Sequence, residues 1–409
     1  MNQLGLRAVS ALGLVAMIAI AWALSLERRR MPWRTVLWGL GLQLSVALLL
    51  LETPAGAVFF RAASALVAGL DRYSGAGARF VFGPLVDSGF AIATHVLPVI
   101  VFLASLFSIL FYVGLVQRVV SALAAGLEHT MRTSGAESLA AAATIFVGMV
   151  EAPLLVRPYV ERMTRSELFT VMSTGMATVA GSVLVVYAGM LGEGFAGHLL
   201  TASFLAAPAG VLLSKVMLPE TQVPETTGRT RVEIQGAGSN LIDAAAQGAI
   251  AGLRLAGYVG AMLVAFVALI ALANDALQWL GGWVGVPGLS FQRVLGVAFA
   301  PLAWLLGVPA ADVTTVGSLL GVKTVLNEFI AYQQLSKLVA DHAISPRAGV
   351  LASYALCGFA NFGSLAILLG GLGGIAPSRR GEIAALGLRS IACGTLSTLM
   401  AGCWAGILL

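Results

Sequence analysis

Charge is what this sequence has least of: Asp, Glu, Lys and Arg make up 11% of its 409 residues, against about 25% in soluble globular chains. So few charges cannot hydrate a surface on all sides, which excludes a soluble globular domain. The net charge of +5 would suit a nucleic-acid partner, yet no polar domain exists to carry a basic face, so no nucleic acid is expected. Cysteine is scarce as well. Cys357, Cys393 and Cys403 lie in apolar segments without paired or metal-ligand spacing, so neither a disulfide framework nor a zinc site is indicated. No Ser-His-Asp, metal-ligand or phosphate-cradling motif occurs in a setting that would support it, and an enzyme is not expected.

What the chain does have is apolar length. Hydrophobic residues make up 58% of it, and a helix needs about 20 residues to cross a bilayer. Uncharged runs of that order occupy 8–26, 35–51, 90–117, 168–192, 197–214, 255–274, 348–378 and 390–409. The expected fold class is an all-α polytopic membrane protein with about eight transmembrane helices. Arg28, Arg29, Arg30 and Arg34 follow the first run, whereas a signal peptide carries its positive residues before the apolar stretch. Residues 1–26 are therefore expected to stay as a helix whose C-terminal end is cytoplasmic. Residues 55–88 mix Phe59, Phe60, Leu66 and Val67 with Arg61, Asp71, Arg72 and Arg79, the pattern of an amphipathic helix lying in the interface.

Two segments do not fit simple crossings. Residues 138–156 are apolar but hold Gly148, Glu151 and Pro153, and Arg157, Arg162 and Arg165 follow at once. A crossing would put those arginines outside, against the positive-inside tendency. A re-entrant hairpin keeps them inside. Such backbone is tolerated only where protein or a water-filled cavity surrounds it, so Gly148 to Pro153 should line a site. Residues 294–311, interrupted by Pro301 and Pro309, together with 312–332 give a second hairpin entering from the other side. With Lys215, Arg229 and Arg231 on the cytoplasmic side too, the strong arginine clusters share one face.

The second hairpin carries Glu328. An ionisable side chain at mid-membrane costs about 2.5 to 3.5 kcal/mol on insertion scales, so it is expected to face a cavity or a partner. Lys323 is the nearest candidate partner, but an offset of five residues does not bring two helical side chains onto one face. The two hairpins look like copies, since Glu151 precedes Ala180-Gly181-Ser182 and Glu328 precedes Phe362-Gly363-Ser364. Their opposite orientations make an inverted repeat, an arrangement in which solutes bind near the midplane at broken helices. Each unit offers one carboxylate and one small polar break: Thr178 and Ser182 in the first, Asn361 and Ser364 in the second. A carboxylate that accepts two hydroxyl protons, beside amide and hydroxyl groups, suits a polyhydroxylated ligand. The packing alternative reads Ser182 and Ser364 as small residues for close helix approach.

Three stretches carry a family resemblance: Glu151-Ala-Pro-Leu-Leu-Val-Arg-Pro-Tyr159, Asn327-Glu-Phe-Ile-Ala-Tyr332, and Cys357-Gly-Phe-Ala-Asn361 running on to Gly-Gly-Ile-Ala-Pro377-Ser-Arg-Arg380. In that order the chain resembles the concentrative nucleoside transporters over nearly all its length. The resemblance implies a homotrimer in the cytoplasmic (inner) membrane that imports nucleosides by an elevator motion coupled to sodium or, in some members, to protons. No cofactor beyond the coupling ion is implied. Residues 1–120 and 193–290 would be mainly scaffold, 121–192 and 291–378 the transport domain, and 379–409 the C-terminal helix.

Glu328, Asn361 and Ser364, with Phe359 preceding them, would hold the ribose. The base would meet the first hairpin, where the family's usual Gly-Gln-Thr-Glu reads Gly148-Met149-Val150-Glu151. A thioether and an isopropyl group cannot make the hydrogen bonds of an amide and a hydroxyl, so base recognition would rest on Glu151, water and packing against Val183. Sodium would lie between the first hairpin tip and the first broken helix, held by the hydroxyls of Thr144 and Thr178 and the carbonyls of Val147 and Val179. Thr144 stands where Asn is more usual. Proton coupling, the alternative, would need Glu328 or Glu151 to titrate. Met149 and Val150 also motivate a second reading, a carrier of the same fold for a modified nucleoside or related glycosylated heterocycle.

Overall fold

The computed structural model describes residues 2–88, 92–192, 194–228, 239–283, 285–286 and 288–409. Arg229 and Arg231, expected on the cytoplasmic face, lie outside the described residues. Among the described residues the regular structure is entirely helical, as it must be when the peptide groups of long apolar stretches can find partners only within their own segment. In chain order the helices are α1 (Gln3–Ala23), α2 (Trp33–Leu51), α3 (Pro54–Phe82), α4 (Leu97–Tyr112), α5 (Leu115–Met131), α6 (Gly135–Ala143), α7 (Glu151–Leu155), α8 (Arg157–Val160) and α9 (Arg165–Ala177). There follow α10 (Gly181–Leu191), α11 (Phe195–Met217), α12 (Leu241–Trp283), α13 (Phe291–Leu305), α14 (Val313–Val325), α15 (Glu328–Ala340), α16 (Pro346–Leu356), α17 (Phe362–Ile375) and α18 (Arg380–Leu408).

Among the described residues seven segments are long and apolar enough to cross a membrane: α1, α2, Ile92–Tyr112, Arg165–Leu191, α11, α12 and Pro377–Leu408. The expected run 348–378 is divided into α16 and α17 by an extended stretch, so it does not form one continuous crossing helix. Residues 255–274 are the middle of the 43-residue α12. The amphipathic α3 buries one face through Gly56, Ala63, Val67, Ser74 and Ala78 and sets Phe60 edge-on against His198 of α11, ring centroids 4.9 Å apart.

Contacts between loops sort the helix ends onto two faces. On the arginine-rich face, Leu26 N–H donates to the Met217 carbonyl across 2.9 Å, Arg34 reaches the carbonyls of His129 and Thr130, and Arg162 pairs with Glu225 at 3.0 Å. Arg379 donates to the carbonyls of Val160 and Met163 at 2.9 and 2.6 Å. On the opposite face Arg7 donates to the Leu408 carbonyl and Ser10 to that of Leu306, and Arg347 bridges the carbonyls of Gly307 and Gly406.

Two helix pairs reach inward from these opposite faces. The first has α6 as one arm and α7–α8 as the other; α6 starts beside Thr226, and Arg162, just past α8, pairs with Glu225 on the same arginine-rich face. Its nine-residue α6 is about 14 Å long at helical rise, half a bilayer core. The second pair is α14–α15, with its outer ends joined by the Ser345 hydroxyl donating to Asp312 at 2.6 Å. The sequence pairs 294–311 with 312–332 as its two arms. Instead the turn beside Glu328 is Leu326–Asn327, between α14 and α15, and α13 packs alongside α14. Asn327 makes this turn by capping α15, its side-chain oxygen accepting from Ile330 N–H at 2.9 Å.

Buried charge locks the first pair in place. Ser134 and Thr164 cap α6 and α9 in reciprocal boxes with Glu137 and Glu167, and Lys215 of α11 meets Glu137 at 2.7 Å. Within residues 1–120 the helices pack against different partners. Gly13 of α1 sits against Leu305 and Cys403, and Gly39 of α2 against Leu212, so α1 and α2 lie on α18, α13 and α11. By contrast α4 packs along α12, where Gly248 and Gly252 admit the backbone of Val101, Ala104 and Ser105.

Both halves contain a helix that stops and restarts in the interior. The first stops at Ala177, takes Thr178 through an extended conformation (φ −119°, ψ 167°) and restarts at Gly181. The second stops at Leu356 and restarts after Asn361. The two breaks touch, with Phe359 N–H donating to the Thr178 carbonyl at 3.3 Å. Gly358 permits this approach: a Cβ there would lie 2.8 Å from the Ala177 carbonyl oxygen and 2.9 Å from that of Met176. Gly358→Ala is expected to destabilise the protein by about 1–3 kcal/mol through overpacking, read as a lower melting midpoint of the detergent-purified protein. Gly374→Ala, where nothing lies within 4 Å, is the control, and equal midpoints would contradict the assigned contact.

Candidate functional site

Glu328 begins α15 at the inner turn of the second pair and is buried, with 5% of its surface exposed. One carboxylate oxygen accepts from the Tyr187 hydroxyl at 2.9 Å and the other from the Asn361 side-chain amide at 2.7 Å. Tyr187 comes from α10 in the first half and Asn361 from the break in the second, so the carboxylate is held from both halves at once. Asn361 is itself fixed: its side-chain oxygen accepts from Ser364 N–H at 2.7 Å and caps α17. That leaves its amide free to turn toward Glu328. Tyr187 stacks on Tyr332 with ring centroids 4.2 Å apart, and Tyr332 donates to the Ser353 carbonyl at 2.7 Å.

Lys323 is not the ion-pair partner of Glu328. The turn at Leu326–Asn327 places the two on different helices, and the fully buried Lys323 ammonium donates to the Ala355 carbonyl at 2.8 Å and the Thr398 hydroxyl at 3.1 Å.

Of the residues expected at the ribose, Glu328, Asn361 and Ser364 thus form one bonded cluster, and Phe359 lies in the adjoining break, partly buried. Sequence reasoning missed Tyr187, because nothing in a single sequence pairs α10 with α15. It also missed Phe362, an aromatic side chain 50% exposed directly beside Asn361.

The first inner loop is arranged differently. Met149 is buried and packs where Gly175 of α9 leaves room, its Cβ 3.1 Å from the place a Cβ would occupy there. Val150 lies in the same way against Gly371 of α17. Glu151 opens α7 and is exposed, folded over Gly148. Val183 is buried on α10. Of the polar loop positions expected to meet a base, Glu151 is the exposed one.

The residues expected to bind sodium sit where this loop meets the first break, joined by Gly181 N–H donating to the Phe146 carbonyl at 3.0 Å. The Thr144 hydroxyl proton goes to the Ala141 carbonyl at 2.8 Å and the Thr178 hydroxyl proton to that of Thr174 at 3.0 Å. Each oxygen therefore keeps lone pairs for a hard cation, which oxygen ligands suit. Val147 is partly buried and Val179 fully buried, and the C-terminal end of α9 adds the negative end of a helix dipole. Among the described residues no group of three His, Cys, Asp or Glu side chains is placed to hold a metal ion, so hydroxyl and carbonyl oxygens are the donors on offer. They fit sodium.

A cavity of about 400 Å³ lies on the arginine-rich side, lined by Leu154, Leu155, Arg157, Glu161, Arg162 and Ile375. It runs between the first helix pair and the end of α17.

Comparison with known proteins bears on this geometry. Residues 12–85 and 198–406 match the families described as "Na+ dependent nucleoside transporter N-terminus" and "Na+ dependent nucleoside transporter C-terminus", and residues 93–194 match "Nucleoside recognition". An "Uncharacterized transporter" of Haemophilus influenzae is 46% identical, with 97% of each chain covered. "Solute carrier family 28 member 3" of Homo sapiens is 40% identical over 97% of this chain, which spans 59% of that longer protein. The structure of CNTnw in an inward-facing substrate-bound state superposes with a TM-score of 0.92 at 43% identity, covering 98% of both chains. A substituted CNTnw in an outward-facing state gives 0.94 at 42%, covering 100% of this chain and 99% of that one.

The bonds around Glu328 yield an expectation of their own. Hydrogen bonds to a charged group are worth about 1.5–3 kcal/mol. A double-mutant cycle of Tyr187→Phe and Glu328→Gln, read by unfolding of the purified protein, should give a coupling energy in that range, and strictly additive effects would contradict the bond.

Proposed function

The chain belongs to the concentrative nucleoside transporter family, and from that premise we propose that it is a sodium-coupled symporter importing nucleosides across the cytoplasmic membrane. The observation that carries this reading is the Glu328 carboxylate held between Tyr187 and Asn361. A ribose presents vicinal hydroxyls. Each can donate to a carboxylate oxygen while accepting from the Asn361 amide or the Ser364 side chain, so the ligand exchanges bonds that the buried group already makes. No isolated charge is created when the site empties, because Tyr187 and Asn361 then satisfy Glu328.

Sodium at Thr144, Val147, Thr178 and Val179 would couple to the nucleoside through the bonded chain of backbone between the two breaks. A cation drawn to the end of α9 fixes Thr178, whose carbonyl accepts from Phe359 N–H. Phe359 stands two residues before Asn361, and Asn361 touches Glu328. Binding of the cation then organises the ribose side.

We assign the motion to an elevator in which the two inner helix pairs, the broken helices and α11 and α18 travel together. The packing of α1 and α2 on α18 and α11 attaches these helices to the moving body, and α3, α4 and α12 serve as scaffold. The second pair and the first enter from opposite faces as re-entrant hairpins, so the site between them can open to either side. A homotrimer would gather the scaffolds at its centre.

A second reading, a carrier for modified nucleosides, is favoured by one observation: Met149 and Val150 pack against Gly175 and Gly371 and leave Glu151 as the polar contact of that loop. Competition of labelled uridine uptake by purine, pyrimidine and modified nucleosides decides between them.

In proteoliposomes Glu328→Gln is expected to abolish uridine uptake while the purified variant stays folded; transport at the wild-type rate would remove the ribose role. Replacing external sodium by choline at fixed pH is expected to stop uptake. Uptake that survives choline and follows a pH gradient would assign the coupling to protons.

A further inference from the structure

The two broken helices end alike, but among the described residues only one end carries a fixed cation. In the second half α16 stops at Leu356, and the Lys323 ammonium, fully buried, donates to the carbonyl of Ala355 in its last turn at 2.8 Å and to the Thr398 hydroxyl at 3.1 Å. Thr398 passes its own proton to the Thr395 carbonyl at 3.0 Å, so a lone pair faces the lysine. In the first half α9 stops at Ala177. Thr144 and Thr178 likewise pass their protons to carbonyls of their own chain segments. Yet the inner parts of the first pair and its broken helix, residues 133–156 and 166–191, contain no Lys, Arg or His; their arginines, Arg157, Arg162 and Arg165, stand at the arginine-rich face.

We propose that Lys323 is a tethered counterpart of the dissociable coupling cation, taking in the second half the place that sodium takes in the first. The inference rests on the sodium reading of the first half. Each donor set joins backbone carbonyl oxygen to threonine hydroxyl oxygen whose proton is already committed: Ala355 and Thr398 in the second half, and Val147, Val179, Thr144 and Thr178 in the first. Both lie at the negative end of a half-helix dipole, where a cation is stabilised. In each half the cation comes from the inner helix pair side or from solution and meets the end of the following broken helix.

The chemical consequence is a division of labour. Lys323 keeps the α16 end, and with it the stretch from Cys357 to Asn361 that presents Asn361 to Glu328, in the cation-bound arrangement at all times. The α9 end attains that arrangement only when an ion arrives from solution. Nucleoside binding should then be linked to one sodium ion, not two. Lys323 is a positioning residue here, since it touches neither the proposed ribose position nor Glu328.

The test is the sodium dependence of uridine binding to the purified full-length protein. Below saturation, the slope of log affinity against log sodium concentration counts the linked ions. The wild type is expected to give a slope of about one, and Lys323→Arg the same. Lys323→Ser, which frees space beside Ala355 and Thr398, should steepen the slope by about one, so that affinity falls about a hundredfold rather than tenfold for each tenfold loss of sodium. Lys323→Gln keeps a donor and fills the space without charge. It should lower affinity at least about tenfold even at high sodium, and it carries the test if the serine variant melts unfolded.

An unchanged slope in Lys323→Ser, or wild-type affinity in Lys323→Gln, would overturn the proposal. The absolute slope of the wild type judges the first half separately: a slope of zero would sink sodium coupling there, while a newly acquired sodium dependence in Lys323→Ser would still support the lysine's role.

Discussion

A carboxylate buried among helices must be given donors, and in this protein the donors of Glu328 come from two different halves of the fold. Tyr187 reaches it from α10 and Asn361 from the break before α17. That requirement constrains much else. Asn361 can turn its amide to Glu328 because its oxygen caps α17. Tyr187 can stand at the right depth because α9 breaks and restarts at Gly181, beside Phe146. The breaks themselves can meet because Gly358 has no side chain to hold Ala177 and Met176 away. A continuous helix in either half would leave the carboxylate without one of its partners.

Several of these features could be read from the sequence. The apolar runs gave the all-helical membrane class, because hydropathy is a property of the chain order, and the arginines after Leu155 motivated the expectation of a segment that turns back. Glu328 stood out because ionisable residues are rare in such surroundings, and Asn361 and Ser364 followed from the repeat. Other features depended on tertiary neighbours. The arms of the second pair were misplaced because Pro301 and Pro309 look like the interruption of a hairpin, whereas the tight turn is made by Leu326 and the capping Asn327. Lys323 looked like a partner for Glu328 by proximity in sequence, but its reach takes it to α16 and α18. Tyr187 carried no local signal at all. The neighbours of Gly13 and Gly39, on α13, α18 and α11, likewise carried no signal in the sequence.

The two halves are alike in the order of their helices and unlike in their chemistry. In the second half the carboxylate is doubly bonded, once by Tyr187 of the first half, and the helix end is met by a lysine. The first half leaves Glu151 exposed and presents hydroxyl and carbonyl oxygens without a cation of its own. Such a division suits a carrier, in which one part recognises what all substrates share and the other responds to the ion and to the variable part of the ligand. In the proposed coupling, binding energy from the ion would reach the ligand through contacts that have two arrangements, and the bond of Phe359 N–H to the Thr178 carbonyl is the contact proposed for that role.

The central claim is that Glu328 and Asn361 hold the sugar of a nucleoside. An experimental structure of the protein with uridine and sodium bound, at a resolution that separates base from ribose, tests it most directly. The account predicts ribose hydroxyls within hydrogen-bond distance of the Glu328 carboxylate and the Asn361 amide, with the base directed toward Glu151. Uridine seated instead in the cavity between Arg157 and Ile375, with Tyr187 and Asn361 still closed on Glu328, would contradict it.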